Sequence, residues 1–375
     1  MNPPTILLSA GDTSGEMYAA HLAAALQRRT GAVLFGMGGA QMRQAGVELV
    51  ADYHRLHVVG ITEVLSRLPT VWHTWRTLTR EARRRRPQLA VLVDSPGFHF
   101  GLARRLQKQG IRNVYFIGPQ VWAWRPGRVK WIRERFERVI CIFPFEEAFY
   151  RRHGVRADYV GHPLVDTVRA SRSRAEFLAA HGLTEDPLIA LLPGSRSSEV
   201  RRHLPRMLAA LQRIHERKRC QAVLAAAPNL PKNLFAAVAM AGVPLRVVSG
   251  ATYDALAAAD LAIVSSGTAT IEAALLGTPM IIVYRLSPLT ALLARRLVRT
   301  PYFGMVNLIA GRRLVPEFFQ QEFTPEAIAR EALRLLDMPA EREEIRRGLA
   351  EVREQLGPGG AIERAAEIIV RLLPV

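Results

Sequence analysis

The stretch Leu188–Val200 reads LIALLPGSRSSEV. Five unbroken apolar residues, a Pro-Gly turn carrying Ser195 and Arg196, and the amphipathic segment Glu199–Lys218 read as strand, tight loop and helix. A strand that is apolar at every position is covered on both faces, as in a parallel sheet flanked by helices. The loop lies just past the carboxyl end of that strand. There Gly194 and Ser195 offer backbone amides, and Arg196 offers a charged fork matched to phosphate.

The same rhythm runs outward in both directions. One series of apolar runs is Thr5–Ser9, Val33–Phe35, Leu89–Val93, Asn113–Ile117 and Val139–Phe143. A second is Leu188–Leu192, Ala222–Ala226, Leu245–Val248, Leu261–Val264 and Met280–Val283. Amphipathic segments such as Glu16–Arg29, Phe100–Gln109 and Thr268–Leu276 separate them. The pattern predicts an α/β chain of two doubly wound, Rossmann-like parallel sheets, with ligands at the carboxyl ends of the strands. The junction falls at Tyr159–Pro163 and the polar stretch Arg169–Arg174. The expected segments are therefore 1–165, 166–345 and a helical tail, 346–375. Gly357-Pro358-Gly359-Gly360 breaks that tail, and its last helix, Ala361–Leu373, is expected to cross back to the first domain.

Composition limits the partners. The 375 residues suit about two domains. Lys plus Arg number 51 against 33 acids, a formal charge of +18. A strongly cationic substrate is excluded, whereas anionic ligands, nucleic acid and anionic membranes remain. Only four of the basic residues are lysines, and an Arg bias of that kind also follows genome base composition. Two cysteines, Cys141 and Cys220, exclude a disulfide framework and a Cys-rich zinc site. The opening MNPPTILLSAGD lacks the features of a signal peptide. No run approaches the ~18 apolar residues of a transmembrane helix. The expected location is the cytoplasm, with any membrane contact peripheral.

Candidate sites follow the strands. After the first comes Gly11-Asp12-Thr13-Ser14-Gly15-Glu16, an anion-binding turn or a helix cap supplied by Thr13 or Ser14. After the third comes Asp94-Ser95-Pro96-Gly97, where a carboxylate is placed either to take a proton or to cap a helix. Ser266-Gly267-Thr268-Ala269 precedes a helix that carries Glu272 one turn in. With Gly194–Arg196 on the same sheet, these residues point to a nucleotide diphosphate, amides on the phosphates and the carboxylate on ribose hydroxyls. There is no Asp-x-Asp motif and no cluster at metal-ligand spacing. Phosphate charge then falls to amides, a helix dipole and Arg196. Two further features are Pro119–Trp124, with two of the five tryptophans, and the apolar stretch Val58, Val59, Ile61, Val64, Leu65, Leu68, Val71, Trp72 and Trp75. The basic block Arg83–Arg86 follows. That combination suits an acyl groove beside an anionic membrane, or two core-facing helices with a solvated Arg face. No nucleic-acid module is present.

Taken together, these segments resemble the bacterial lipid-A-disaccharide synthases, glycosyltransferases of the GT-B type. The carrying segments are Ala10–Glu16, VGITEVL (59–65), VDSPGF (93–98), PQVWAW (119–124), FPFEEAFY (143–150), VGHP (160–163), LLPGSR (191–196) with Glu199, SSGTATIE (265–272), VYR (283–285), and NLIAG (307–311) with Pro316-Glu317. Their order and whole-chain span are those of the family. The resemblance implies transfer of 2,3-diacylglucosamine from its UDP derivative to 2,3-diacylglucosamine 1-phosphate, with inversion and without a cofactor. It implies an acceptor- and membrane-facing first domain and a UDP-sugar-binding second domain. Asp94 matches the family's base. Arg196, Glu272, Asn307 and Gln320 match UDP-sugar-binding or activity residues, and Ser14 and Gly15 lie nearer the acceptor. The family usually exchanges the acids at 12 and 16 and often has Asp at Gly97, which concentrates the base role on Asp94. The expected setting is the cytoplasmic face of the inner membrane. A homodimer through the second domain and tail is one arrangement the sequence leaves open. The alternatives are a UDP-N-acetylglucosamine 2-epimerase-like enzyme of the same fold and a basic binding module without catalysis.

Overall fold

The structure, a computed structural model, describes residues 3–56, 68–124, 126–228, 230–287, 291 and 300–374. The chain forms two compact units: Met1–Asp166 with Leu356–Val375, and Thr167–Gln355.

Seven parallel strands build the sheet of the first unit: β1 (Thr5–Ala10), β2 (Val33–Gly38), β3 (Glu48–Asp52), β4 (Leu89–Val93), β5 (Arg112–Phe116), β6 (Arg138–Cys141) and β7 (Ala157–Tyr159). Their order is β3-β2-β1-β4-β5-β6-β7. The chain winds one way to β3 and the other way from β4, so the direction reverses between β1 and β4, where Ala10 pairs with Val93. β4 is buried at all of its positions. Its helices cover both faces, as its unbroken apolar sequence requires. The C-terminal helix Ala361–Arg371 belongs to this unit. Arg28 and Arg29 reach Glu363 at 2.6 and 3.0 Å, and Arg364 Nη2 donates to the Val160 carbonyl at 2.6 Å. The return of the chain's end to the first domain is thus anchored by named contacts.

The sheet of the second unit has six parallel strands: β8 (Leu188–Leu192), β9 (Gln221–Ala226), β10 (Leu245–Ser249), β11 (Leu261–Ser265), β12 (Met280–Tyr284) and β13 (Glu317–Phe319). The order β10-β9-β8-β11-β12-β13 reverses between β8 and β11. Ligands bind beyond the carboxyl ends of strands at such reversals. In each sheet, the two strand-end loops singled out from sequence flank that point.

Three strands, β3, β7 and β13, have no counterpart in the apolar runs. Each lies at a sheet edge and is short and partly polar (ELVAD, ADY, EFF). An edge strand is covered less fully, so its sequence need not be continuously apolar. Residue 346, the start of the expected tail segment, lies inside helix Pro339–Gln355, which stays with the second unit. The break comes at the glycines, with φ of +84° at Gly357 and +85° at Gly360. Cys141 and Cys220 are both buried and unpaired. Among the described residues, no helix is long and apolar enough to cross a membrane.

Candidate active site

In the first unit, the loops after β1 and β4 are tied together. Asp12 is the N-cap of helix Thr13–Thr30, accepting from the Gly15 amide at 2.7 Å. Its second oxygen accepts from Ser95 Oγ at 3.0 Å. The cap is therefore Asp12, not Thr13 or Ser14, because a carboxylate at this position reaches both the helix amide and the neighbouring loop. Gly11 is required by the same approach: a Cβ there would lie 2.5 Å from Ser95 Oγ. Glu16 is buried and accepts from the Gln41 amide at 2.9 Å. Gly15 is buried beside it and Ser14 is partly exposed.

Asp94 follows the last residue of β4 and does not cap the next helix, since the N-cap of Pro96–Gln107 is Ser95. Asp94 and Ser95 both have left-handed backbone, φ +48° and +46°. Two consecutive non-glycine residues in this region are strained and persist only where surroundings hold them. Here the holding groups are explicit. Tyr115 Oη donates to the Asp94 carbonyl at 2.9 Å, and His99 Nδ1 does so at 2.7 Å. His99 Nε2 accepts from Ser9 Oγ at 3.0 Å, an assignment that fixes the ring as the Nδ1–H tautomer. Burial pushes the His99 pKa down to about 4, so the ring stays neutral.

Glu146 is a second acid near this strand end. It is buried, with Trp122 Nε1 donating to it at 3.2 Å and the Phe143 amide at 3.3 Å. Burial pushes its pKa up to about 7; these donors oppose the rise and the charge of Asp94 adds to it. The PQVWAW and FPFEEAFY segments thus meet through this hydrogen bond and a second, from Tyr150 Oη to Pro119 O at 2.7 Å. His162, of VGHP, is buried against the rings of Tyr18 and Phe143 and kept neutral by burial.

In the second unit, Gly194 has φ +123°, and a Cβ there would lie 2.6 Å from Glu199 Oε2. That oxygen accepts from the amides of Ser195 and Arg196 at 3.2 and 3.4 Å. The expected phosphate-facing amides therefore already hold a carboxylate of their own helix, Ser197–His215. The Arg196 side chain is largely exposed and reaches Glu199 Oε1 at 3.4 Å. His203 ties the loop to the end of β12: Nδ1 donates to Pro193 O at 2.9 Å and Nε2 accepts from the Arg285 amide at 3.0 Å.

After β11, Ser266 Oγ donates to Phe303 O at 3.2 Å, and Gly267, φ +151°, caps helix Thr268–Leu275. The first-turn amides of Thr268 and Ala269 have no acceptor within the helix. Glu272 accepts from Tyr253 Oη at 3.4 Å, and burial raises its pKa. Asn307 is fully buried and saturated by its own chain. It donates to Val315 O and Glu317 Oε1 at 2.9 and 2.7 Å, and accepts from the amides of Leu314 and Val315 at 2.8 and 2.9 Å. Glu317 also accepts from Phe303 and Gly304. Asn307 therefore shapes the loop that meets Ser266 and has no donor left for a ligand. Gln320 differs. It is buried at the end of β13 with φ +54°, and its Nε2 has no partner among the described residues; nor does Ser265 Oγ at the end of β11. These two unpaired polar atoms lie at the ends of strands on either side of β12, and a bound ligand is one way such atoms are satisfied.

Of the expected membrane-contact residues, Val58, Val59, Ile61, Val64 and Leu65 lie outside the described residues. Leu68 and Trp72 are exposed. Val71 and Trp75 instead pack against the core of the first unit. Trp75 Nε1 donates to Phe98 O at 3.2 Å, and its ring fills the space beside Gly101. Sequence reasoning passed over His99, Tyr115, Glu146, His203 and Glu317 as site-building residues. All are buried polar groups whose partners lie largely on other elements, so the only signals were the doubled acid of FPFEEAFY and the Pro316-Glu317 pair. No group of three or more His, Cys, Asp or Glu residues able to hold a metal occurs among the described residues.

The model of the lipid-A-disaccharide synthetase family matches residues 6–369. The lipid-A-disaccharide synthase of Solibacter usitatus is 46% identical over 373 residues, covering 99% of this chain and 98% of that protein. Among solved structures, the glycotransferase of kitacinnamycin covers 100% of both chains at TM-score 0.67 and 16% identity. The UDP-GlcNAc 2-epimerase of Neisseria meningitidis covers 98% of this chain and 99% of its own at TM-score 0.66 and 11% identity. At such identities the last two establish the fold alone, and the epimerase reading gains nothing from them. The chain belongs to the lipid-A-disaccharide synthetase family and is a hexosyltransferase of GT-B fold.

Proposed function

We propose that this chain joins two acylated glucosamines. 2,3-Diacylglucosamine passes from its UDP derivative to the 6-hydroxyl of 2,3-diacylglucosamine 1-phosphate, giving a β-1,6-linked disaccharide 1-phosphate and UDP. The O6–C1 bond forms as the bond from C1 to the diphosphate oxygen breaks. The hydroxyl proton goes to Asp94, and the electron pair leaves on UDP. A single displacement inverts the anomeric centre and needs one base. The observation that carries this role is the left-handed backbone of Asp94, clamped through its carbonyl by Tyr115 and His99. Strained backbone held in this way by its surroundings clusters at active sites, and here it fixes the point from which the Asp94 carboxylate extends.

On the donor side, Arg196 and the first-turn amides of Thr268 and Ala269 suit the diphosphate, Glu272 suits the ribose hydroxyls, and Gln320 supplies an unpaired amide. Their combined charge and dipoles support a reaction without metal or other cofactor. The exposed Leu68 and Trp72, with the net charge of +18, support peripheral attachment to the cytoplasmic face of an anionic inner membrane.

The test is an assay with both acylated sugars and a chelator, read by mass spectrometry. Disaccharide 1-phosphate with equimolar UDP is the expected result. Turnover that appears only on adding divalent cations removes the metal-independent scheme. UDP release without disaccharide points to another acceptor.

A further inference from the structure

The basic block of the Leu68–Arg85 helix divides in space. Arg84 pairs with Glu81 at 2.7 Å, and Arg85 pairs with Glu48 and Glu81. These two charges are neutralised within the unit. Arg76, Arg80 and Arg83 have no carboxylate partner among the described residues. With His73, Thr77, Thr79 and Gln109 they line a cleft of about 550 Å³ that includes no acid. Gln109 Nε2 donates to Thr79 O at 3.1 Å, closing one side.

The placement follows from helix geometry. At 3.6 residues per turn, Leu68, Trp72, Arg83, Arg76, Arg80 and His73 fall within an arc of about 140°, opposite the buried Thr74, Leu78 and Ala82. Leu68 and Trp72 are 54% and 52% exposed, and the Arg76 guanidinium lies over the Trp72 ring at 4.5 Å. One helix face thus carries an exposed apolar end and, within ~22 Å along the axis, a cleft of guanidinium groups that no carboxylate among the described residues neutralises. Like charges at this spacing repel one another, and a bound dianionic or monoanionic oxyanion relieves that repulsion through paired N–H donors.

We propose that this cleft binds the phosphodiester headgroup of an anionic phospholipid, with Leu68 and Trp72 entering the adjoining acyl boundary. The proposal rests on the membrane attachment proposed above and replaces a diffuse basic patch with a discrete site at Arg76 and Arg80.

Full-length protein is floated with vesicles of phosphatidylglycerol and phosphatidylcholine at 1:3, and with phosphatidylcholine alone. Arg76→Gln/Arg80→Gln is compared with a charge-matched control, Arg169→Gln/Arg217→Gln, after melting curves establish that each is folded. The cleft variant is expected to lose at least tenfold in binding to the anionic vesicles, and the control less than threefold. Arg76→Lys/Arg80→Lys keeps the charge but loses the guanidinium fork, and should stay at least threefold weaker than the parent. Equal losses in cleft and control variants, or full recovery with lysine, overturn the site and leave diffuse attraction. Unchanged vesicle binding by the cleft variant overturns the site while membrane attachment stands. A parent protein that ignores vesicles but binds glycerol phosphate through Arg76 and Arg80 overturns both the headgroup assignment and the attachment.

Discussion

The two strand-end sites use carboxylates in opposite ways. In the first unit, the acid proposed for chemistry stands at a strained turn, and neighbouring side chains hold its backbone. In the second unit, Glu199 and Glu317 are spent on holding loops, covering the amides of Ser195, Arg196, Phe303 and Gly304. What remains unpaired at that unit's strand ends, among the described residues, is the Gln320 Nε2 donor and the Ser265 hydroxyl. Under the proposed function, the contrast is between a site that accepts a proton and one that receives an anion. A phosphate bound by the Ser195 and Arg196 amides, as proposed, would compete with Glu199 for them.

The sharpest way to break this contrast is Asp94→Asn. Turnover should fall by roughly 10²–10⁴-fold, the worth of general-base catalysis, while UDP affinity in calorimetry changes less than twofold. Unchanged turnover removes the base. The mirror experiment is Arg196→Ala, which should weaken UDP by about 10- to 100-fold, the range of a charge-assisted hydrogen bond. Equal affinity would place the phosphates elsewhere.

Asn307→Ala tests scaffold against ligand. It strands two buried amides, a carbonyl and Glu317, so denaturant unfolding should show a loss of roughly 3 kcal/mol. Unchanged stability with lost UDP binding would make Asn307 a direct contact instead.

A pH series sharpens the first unit. The Glu146 pKa is raised from 4.5 to about 7 in the folded protein, so the folded state binds more protons than the unfolded one between those values. Its contribution is present below pH 4.5 and lost as pH rises to about 7. His99, depressed to about 4, acts in the opposite sense: its contribution is complete above pH 6.5 and lost as pH falls towards 4. Glu146→Gln removes only the first dependence. Relative to the parent, its unfolding free energy should therefore rise by up to ~3 kcal/mol from pH 4.5 to 7. Parallel curves would show that Glu146 ionises normally.

The smallest effect is expected at Gln320→Met. Removing an unpaired buried amide should leave the free protein as stable or ~1 kcal/mol more stable, while UDP binding weakens several-fold. Lower stability without an affinity change would mean that Gln320 is part of the scaffold.

The amino-acid sequence alone determined the central strands, because β1, β4, β8 and β11 are covered on both faces and so are apolar at nearly every position. It also determined the loops at both sheet reversals, because Gly11, Gly194 and Gly267 permit close approaches or backbone that other residues resist. The edge strands β3, β7 and β13 were not legible, since half-covered strands carry no continuous apolar signal. Only the tertiary structure decided which polar groups are consumed. Asp12 rather than Ser14 caps the first helix, Asn307 is saturated, Gln320 Nε2 is not, and Arg84 and Arg85 are paired whereas Arg76, Arg80 and Arg83 have no carboxylate partner among the described residues. The physical reason is that a hydrogen bond or ion pair is a property of two positions, and here the partners lie on different elements, in several cases tens of residues apart.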